Sequence, residues 1–275
     1  MFRRSRHMSR IGLGTAQLAF KDITAEQAIA TVHAALDSGV RLIDTALAYT
    51  REGVESYAEQ IVGRALAQRP GRREALVATK GGHYRDGDDF PVDASPEALR
   101  ANCDTSLRNL GVDRIDLYQL HHVDPRVPLA ESVGALKELQ AAGKVAAIGL
   151  SNVSVAQIEQ ARAEAAIAAV QNRLSLADRA DLPTVAYCAA TGLRYLACLP
   201  LGGPAARRDD PVVAGVAARL GLSVPQVWLA WVLAQGAHVT PLVGASRPET
   251  IRQSAHSGPL AMGDLALIDQ QLTHK

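Results

Sequence analysis

The sequence predicts a closed α/β barrel of eight parallel strands, built as a single domain. Three observations predict it. Short apolar runs alternate strictly with stretches of helical period along the whole chain, and such alternation implies a parallel sheet with right-handed crossovers. Eight of these runs fit into 275 residues, and single barrels of about 250 residues are ordinary. No low-complexity linker, composition break or repeat divides the chain. Residues 1–275 therefore read as one unit, with 1–9 as a flexible tail.

Taken in order, Ile11-Gly-Leu-Gly-Thr15 is a short glycine-rich strand, and a helical pattern follows over 25–38 with Thr24 as its cap. Val40–Asp44 is the second strand, preceded by Gly39 and closed by a carboxylate. Residues 57–68 are helical, 75–80 a strand, and 95–109 a helix with Ser95 capping and Pro96 at its first position. Strands at 115–121, 145–150 and 168–171 alternate with helices at 129–142, 155–165 and 181–190. The strand 195–199 precedes two helices, 211–220 and 224–234. The last strand is 238–243, and helices at 248–254 and 264–272 finish the chain.

Hydrophobic residues make up 48% of the chain and aromatics only 4%, so the core is aliphatic. A net charge of +1 gives no electrostatic reason to expect nucleic acid or an anionic membrane. Arg3, Arg4 and Arg6 are not followed by an apolar stretch, so they do not read as a secretory signal. No apolar run approaches the ~20 residues that span a bilayer. Cys103, Cys188 and Cys198 show no paired spacing, which fits a reduced, cytoplasmic protein.

In such barrels the chemistry sits at the C-terminal ends of the strands. The apolar runs here end on Asp44, Lys80, His121, Ser151-Asn152, Gln171 and Ser246-Arg247. Each alone reads equally as a cap or the start of a loop, and Asp44 as a helix N-cap. Convergence on one rim gives them a chemical reading. A phenol, with a pKa of ~10, donates a proton poorly at neutral pH. A nearby ammonium lowers that value, and a carboxylate compensates the burial of the ammonium. Tyr49, Lys80 and Asp44 supply those groups, and His121 is the candidate either to position a carbonyl oxygen or to share the proton. No nucleophile accompanies them, so a hydride from a nicotinamide would complete the reaction. Ser151, Asn152 and Gln171 carry groups that suit a carboxamide. Arg247, before the helix start Pro248-Glu249, reads either as a phosphate ligand or as a surface arginine.

At this point the residues resemble the aldo-keto reductase superfamily. The matching motifs are IGLGTAQ near the start, DTALAY at 44–49, ATK at 78–80, DLYQLH at 116–121, GKVAAIGLSN at 143–152, VQN at 170–172 and GASRPE at 244–249. The resemblance implies a (β/α)₈ barrel and a catalytic tetrad of Asp44, Tyr49, Lys80 and His121, with Tyr49 as general acid. It implies an NADPH (NADP+) cofactor, its carboxamide held by Ser151, Asn152 and Gln171 and its 2′-phosphate by Ser246 and Arg247. Gln253 falls on an adenine contact, and Gly14, Thr15, Asp44 and Gly244 belong to the cofactor-facing strand ends. The segment Cys198-Leu199-Pro200-Leu201 matches the family's aromatic-x-Pro-Leu stretch with a thiol in place of the ring. The chain ends soon after its last helix, so the resemblance implies an open site built from 83–93 and 122–128.

The expected partner is a small-molecule carbonyl substrate. The Leu120-His121-His122-Val123-Asp124-Pro125 pattern points by analogy to pyridoxal, sugar or antibiotic intermediates. His83, Tyr84 and His122 read either as substrate contacts or as parts of a solvated loop. A metal at His121 and His122 is not expected, because adjacent residues at a strand end point in opposite directions. The alternative function is an NADPH-binding redox sensor or scaffold subunit with little turnover. A barrel isomerase or aldolase would leave Ser151, Asn152 and Gln171 without a role.

Overall fold

The computed structural model describes residues 9–51, 54–69, 75–87, 89–203, 206, 208–258 and 260–272, with the side chains of 271 and 272 left aside. Eight parallel strands close in sequence order: β1 (Gly12–Gly14), β2 (Leu42–Asp44), β3 (Leu76–Gly81), β4 (Leu117–Leu120), β5 (Ile148–Ser151), β6 (Ile167–Arg173), β7 (Arg194–Cys198) and β8 (Val239–Gly244). β8 pairs with β1, with Leu13 beside Val243. The expected fold class is thus the observed one. Every expected strand is present: β1, β2, β4 and β5 are two or three residues shorter than the apolar run, β3, β7 and β8 keep its length shifted by one residue, and β6 runs three residues longer.

The helices begin where local chemistry says they should. α1 (Ala16–Phe20) is followed by α2 (Ala25–Asp37), whose Thr24 cap accepts a hydrogen bond from the Gln27 amide at 3.2 Å. α3 is Tyr57–Ala67, and α4 (Pro96–Leu110) is capped by Ser95 Oγ and stopped by Gly111 at φ 61°. α5 (Leu129–Ala141) precedes α6 (Val155–Glu164), which opens on a reciprocal capping box between Ser154 and Gln157. α7 (Leu182–Thr191), α8 (Pro211–Leu220), α9 (Val224–Ala234), α10 (Pro248–Ala255) and α11 (Met262–Leu272) complete the ring.

Among the described residues no single helix is long and apolar enough to cross a membrane. The expected tail, 1–9, lies outside the described residues except for Ser9. That residue is held, its amide on the Gly39 carbonyl and its hydroxyl on that of Ala255.

Alternation along the strands sorts two environments. Outward residues such as Ile43, Val77, Tyr118 and Val170 are buried against the helices in one large aliphatic core. Inward residues form a second, small cluster: Ala169, Leu196 and Leu242, with Leu42 and Leu117 packed on it. This plug fills the barrel toward the strand N-termini. Two residues further along the same inward rows come Asp44, Gln119, Gln171, Cys198 and Gly244. A polar layer therefore lies on an apolar plug. Gly149 makes room for it, since a Cβ there would sit 2.8 Å from Gln119 Cγ.

Candidate active site

Lys80, on β3, is wholly buried and donates three ways: to Asp44 Oδ2 at 2.7 Å, to the Thr45 carbonyl at 2.8 Å and to the Tyr49 hydroxyl at 3.4 Å. An unpaired ammonium in such a place would cost several kcal/mol. Burial alone works to lower the lysine's pKa, but the Asp44 charge and the Tyr49 contact carry it above its ordinary value. The cation is therefore permanent.

Asp44 is fixed just as fully. Its Oδ1 accepts from Gln171 Nε2 at 2.8 Å and from Gln119 Nε2 at 3.2 Å. Its own carbonyl accepts from the Thr15 amide and hydroxyl, at 2.9 and 3.0 Å. Gln119 is a residue the motif reading passed over. An available signal was its place as a lone polar residue inside an apolar run, which needs a buried partner.

Tyr49 is only partly buried, in the loop after β2, with its ring edge-on to Phe20 at 5.7 Å and to His121 at 6.1 Å. Its pKa does not fall as expected. Burial raises it, outweighing the pull of the Lys80 ammonium. The phenol therefore keeps its proton at neutral pH. Because its oxygen accepts the Lys80 hydrogen bond, that proton remains available for a substrate.

His121 is 8% exposed, and burial together with the Lys80 charge holds its pKa well below the usual histidine range. His122 is pushed down to about 4 by burial, with the His83 and Lys80 charges adding to it. The expectation that the two rings point apart does not hold. They stack, with centroids 5.1 Å apart and planes 23° apart. The reason is local: β4 ends at Leu120, so strand alternation no longer applies beyond it. The 83–93 loop brings His83 against both, at 4.7 and 4.6 Å, and seats Phe90 beside it at 5.7 Å.

Asp124 locks this rim. It is buried and accepts from the Arg126 amide and guanidinium and from the Ala94 amide. Those bonds, the Arg126 side chain foremost, hold its carboxyl far below the usual carboxylate range.

The residues expected to hold a cofactor lie along the other side of the rim. Ser151 is buried and Asn152 exposed at φ 56°, its Nδ2 on the His121 carbonyl at 3.0 Å and on Ser151 Oγ at 3.1 Å. Asn172, another residue passed over, fixes that turn by exchanging hydrogen bonds with the Val153 backbone. Gln171 faces downward, so its amide nitrogen serves Asp44 and only Oε1 is left to meet a ligand.

Cys198 ends β7 with its thiol pushed up to about 11 by burial, so it keeps its proton at neutral pH and lacks the thiolate a nucleophile needs. Leu199, at φ 50°, is 42% exposed, and Pro200 and Leu201 turn beneath it. Gly14 and Gly244 pair directly, which keeps the mouth between β1 and β8 free of side chains. Ser246 is held through its carbonyl by Gln27 Nε2 at 2.8 Å. Arg247 is exposed at the N-cap of α10, pairs with no acid among the described residues, and has Gln253 further along the same helix. A free guanidinium beside unsatisfied helix amides is a donor set that fits a phosphate.

A closed eight-stranded barrel that buries a lysine between a carboxylate and a phenol at its strand ends is what the sequence resemblance led one to expect. Residues 10–272 match the model of the aldo/keto reductase family, and the chain belongs to that family. It is 33% identical to "Probable aldo-keto reductase 1" of Glycine max over 90% of this chain and 80% of that one. Its fold matches the glycerol dehydrogenase AKR11B4 of Gluconobacter oxydans at a TM-score of 0.83, with 30% identity over 97% and 92% of the two chains. An aldo/keto reductase of Klebsiella pneumoniae, solved with NADP and acetate, matches at 0.82 with 28% identity over 96% and 92%.

Proposed function

We propose that this chain is an NADPH-dependent carbonyl reductase in which Tyr49 is the general acid. The observation that carries the reading is the Lys80 ammonium shared between Asp44 and the Tyr49 oxygen. When bound, the nicotinamide supplies a hydride to the carbonyl carbon. The protein's part is to manage the charge that develops on the carbonyl oxygen. Tyr49 gives that oxygen its proton, and Lys80 stabilises the phenolate left behind. His121, neutral, is a hydrogen-bonding partner for the same oxygen and not a second charge. Ser151, Asn152 and the Gln171 carbonyl end would orient the carboxamide. Arg247 and Ser246 would take the 2′-phosphate, with Gln253 near the adenine.

Phe20 and His121 against the phenol, with Phe90 and His83 packed behind them, favour a planar substrate, aromatic or conjugated. Phe20 and Phe90 meet edge-on at 6.2 Å. Beside Phe20 runs an open groove of about 1090 Å³ whose rim mixes Lys21, Arg51 and Arg85 with Asp22 and Glu55, Arg51 being paired with Asp22 at 3.0 Å, so it favours no one sign of charge.

The test is a titration with NADPH and NADH, followed by the fluorescence of Trp228 and Trp231, then turnover with a panel of aromatic and aliphatic aldehydes. Tyr49→Phe should bind NADPH as wild type does and lose about 10²–10⁴-fold in turnover. Near-wild-type turnover in that variant would remove Tyr49 from its role. Tight binding without turnover of any aldehyde by the wild type would favour a sensor subunit.

A further inference from the structure

Three imidazoles from two separate segments converge at the mouth of the pocket. His83 comes from the loop after β3, and His121 and His122 from the turn after β4. One ring nitrogen of each lies within 4.8 Å of the other two. We propose that His83, His121 and His122 form a binding site for a divalent transition-metal ion of the Zn²⁺ or Cu²⁺ class, and that filling it blocks the reductase centre. The binding half stands by itself. The blocking half rests on the functional reading above.

The first support is unsatisfied chemistry. Nδ1 of His83 and Nδ1 of His121 are both buried, and neither has a hydrogen-bond partner among the described residues. Buried polar atoms without partners are uncommon and call for an occupant. His121 is also more than nine-tenths buried. Stacking accounts for the His121–His122 pair, but not for two orphaned nitrogens on different loops.

The second support is the tautomer of His83. Its Nε2 lies 2.8 Å from the Phe90 carbonyl, which only accepts, so the proton is on Nε2 and the lone pair is on Nδ1. An imidazole that gives one N–H to a backbone carbonyl and turns the other nitrogen inward is the usual arrangement behind a metal.

The third is the donor set. Imidazole nitrogens with no carboxylate among them select Zn²⁺, Cu²⁺ or Ni²⁺ over Mg²⁺ and Ca²⁺. Asp44, the nearby acid of the pocket, is already taken by Lys80.

Three features oppose binding and set its strength. Zn–N bonds of about 2.0–2.1 Å bring tetrahedral ligands to roughly 3.4 Å from one another, so the rings must close by rotation from their present separation. His122 Nε2 would exchange a 3.3 Å contact with the Asn152 amide for the metal. The Lys80 charge also repels a cation, though its ion pair with Asp44 blunts that repulsion. Micromolar affinity is the expectation, with water in the open fourth position.

The experiment uses the whole chain, tag-free and chelator-treated, without cofactor or substrate. Co²⁺ is titrated with detection of its visible d–d bands, Zn²⁺ by calorimetry, and Mg²⁺ serves as control. One equivalent of Co²⁺ and of Zn²⁺ should bind reversibly to EDTA, and Mg²⁺ should not bind. His83→Gln and His122→Gln should each weaken Co²⁺ by at least about tenfold with unchanged circular dichroism. Absence of saturable binding, or full binding in the His83→Gln/His122→Gln double variant, overturns the site. Zn²⁺ should then inhibit aldehyde reduction competitively with aldehyde in wild type and far less in His83→Gln. Stoichiometric binding with undiminished turnover overturns the blocking half. A wild type that turns over no aldehyde without metal overturns the reductase reading instead, and leaves the binding result intact.

Discussion

The floor of this pocket and its rim are built on opposite terms. On the floor, the Asp44 carboxylate and the Lys80 ammonium each make several hydrogen bonds; Gln119 and Gln171 reach the carboxylate from two other strands, and Thr15 holds the Asp44 backbone carbonyl from the end of a third. On the rim, Phe20, Phe90 and three histidines meet by ring edges and faces, and two ring nitrogens have no partner among the described residues. Charges inside a barrel persist only where every lone pair is met. Rings on the surface of a pocket carry no such requirement, because no charge has to be compensated there. Tyr49 sits on the boundary, its oxygen tied to the floor and its ring packed in the rim.

The harshest way to break the contrast is Lys80→Met, which leaves the Asp44 carboxylate buried without a cation. Turnover should fall at least as far as in Tyr49→Phe, and urea unfolding should show a loss of about 3–5 kcal/mol. Tyr49→Phe should be nearly neutral in the same unfolding experiment, because its hydroxyl is not what pays for the ion pair. Equal stability losses in the two variants would place the phenol on the floor.

Gln119→Leu tests a floor residue that touches no ligand. It removes one of two hydrogen bonds to Asp44 Oδ1, and a bond to a charged group is worth about 1.5–3 kcal/mol. Stability should fall by that amount, and turnover by about tenfold, with little change in the NADPH dissociation constant. Arg247→Ala is the matching change at an exposed edge. Unfolding should not register it, while NADPH binding should weaken by about 10–100-fold and NADH binding hardly at all. Equal losses for both cofactors would show that Arg247 does not meet the 2′-phosphate.

The smallest effect sharpens the rule about buried charge. Glu59 on α3 is fully buried and hydrogen-bonded to Thr79 and Asn109, with no cation among those partners. Burial raises its pKa above the ordinary carboxylate value. The folded state therefore binds its proton more tightly than the unfolded one, and the stability this supplies is lost as pH rises through the folded value. Glu59→Gln cannot ionise. Measured by thermal unfolding, its stability relative to wild type should increase from pH 4 to pH 8, and a constant difference would show that Glu59 titrates normally.

Much of the site was legible because a strand that ends in a polar residue is a linear signal. Asp44, Lys80, His121 and Ser151 each close or follow an apolar run, and parallel closure brings such ends to one rim. Gln119 lay inside its run and went unread until the register set it beside Lys80. α1 was missed because five residues show no period, yet it carries Phe20 to the phenol.

By itself, then, the order of apolar runs, caps and glycines determined the barrel and the set of groups on its rim, since both depend on local pattern and period. Tertiary structure alone decided which atoms those groups face. The Gln171 amide turned down to Asp44, burial raised the Tyr49 phenol against the pull of Lys80, and His83 crossed from another loop to join His121 and His122. Those outcomes depend on distances between segments remote in sequence and on how much water the packed barrel excludes, and neither quantity is written in any one stretch of chain.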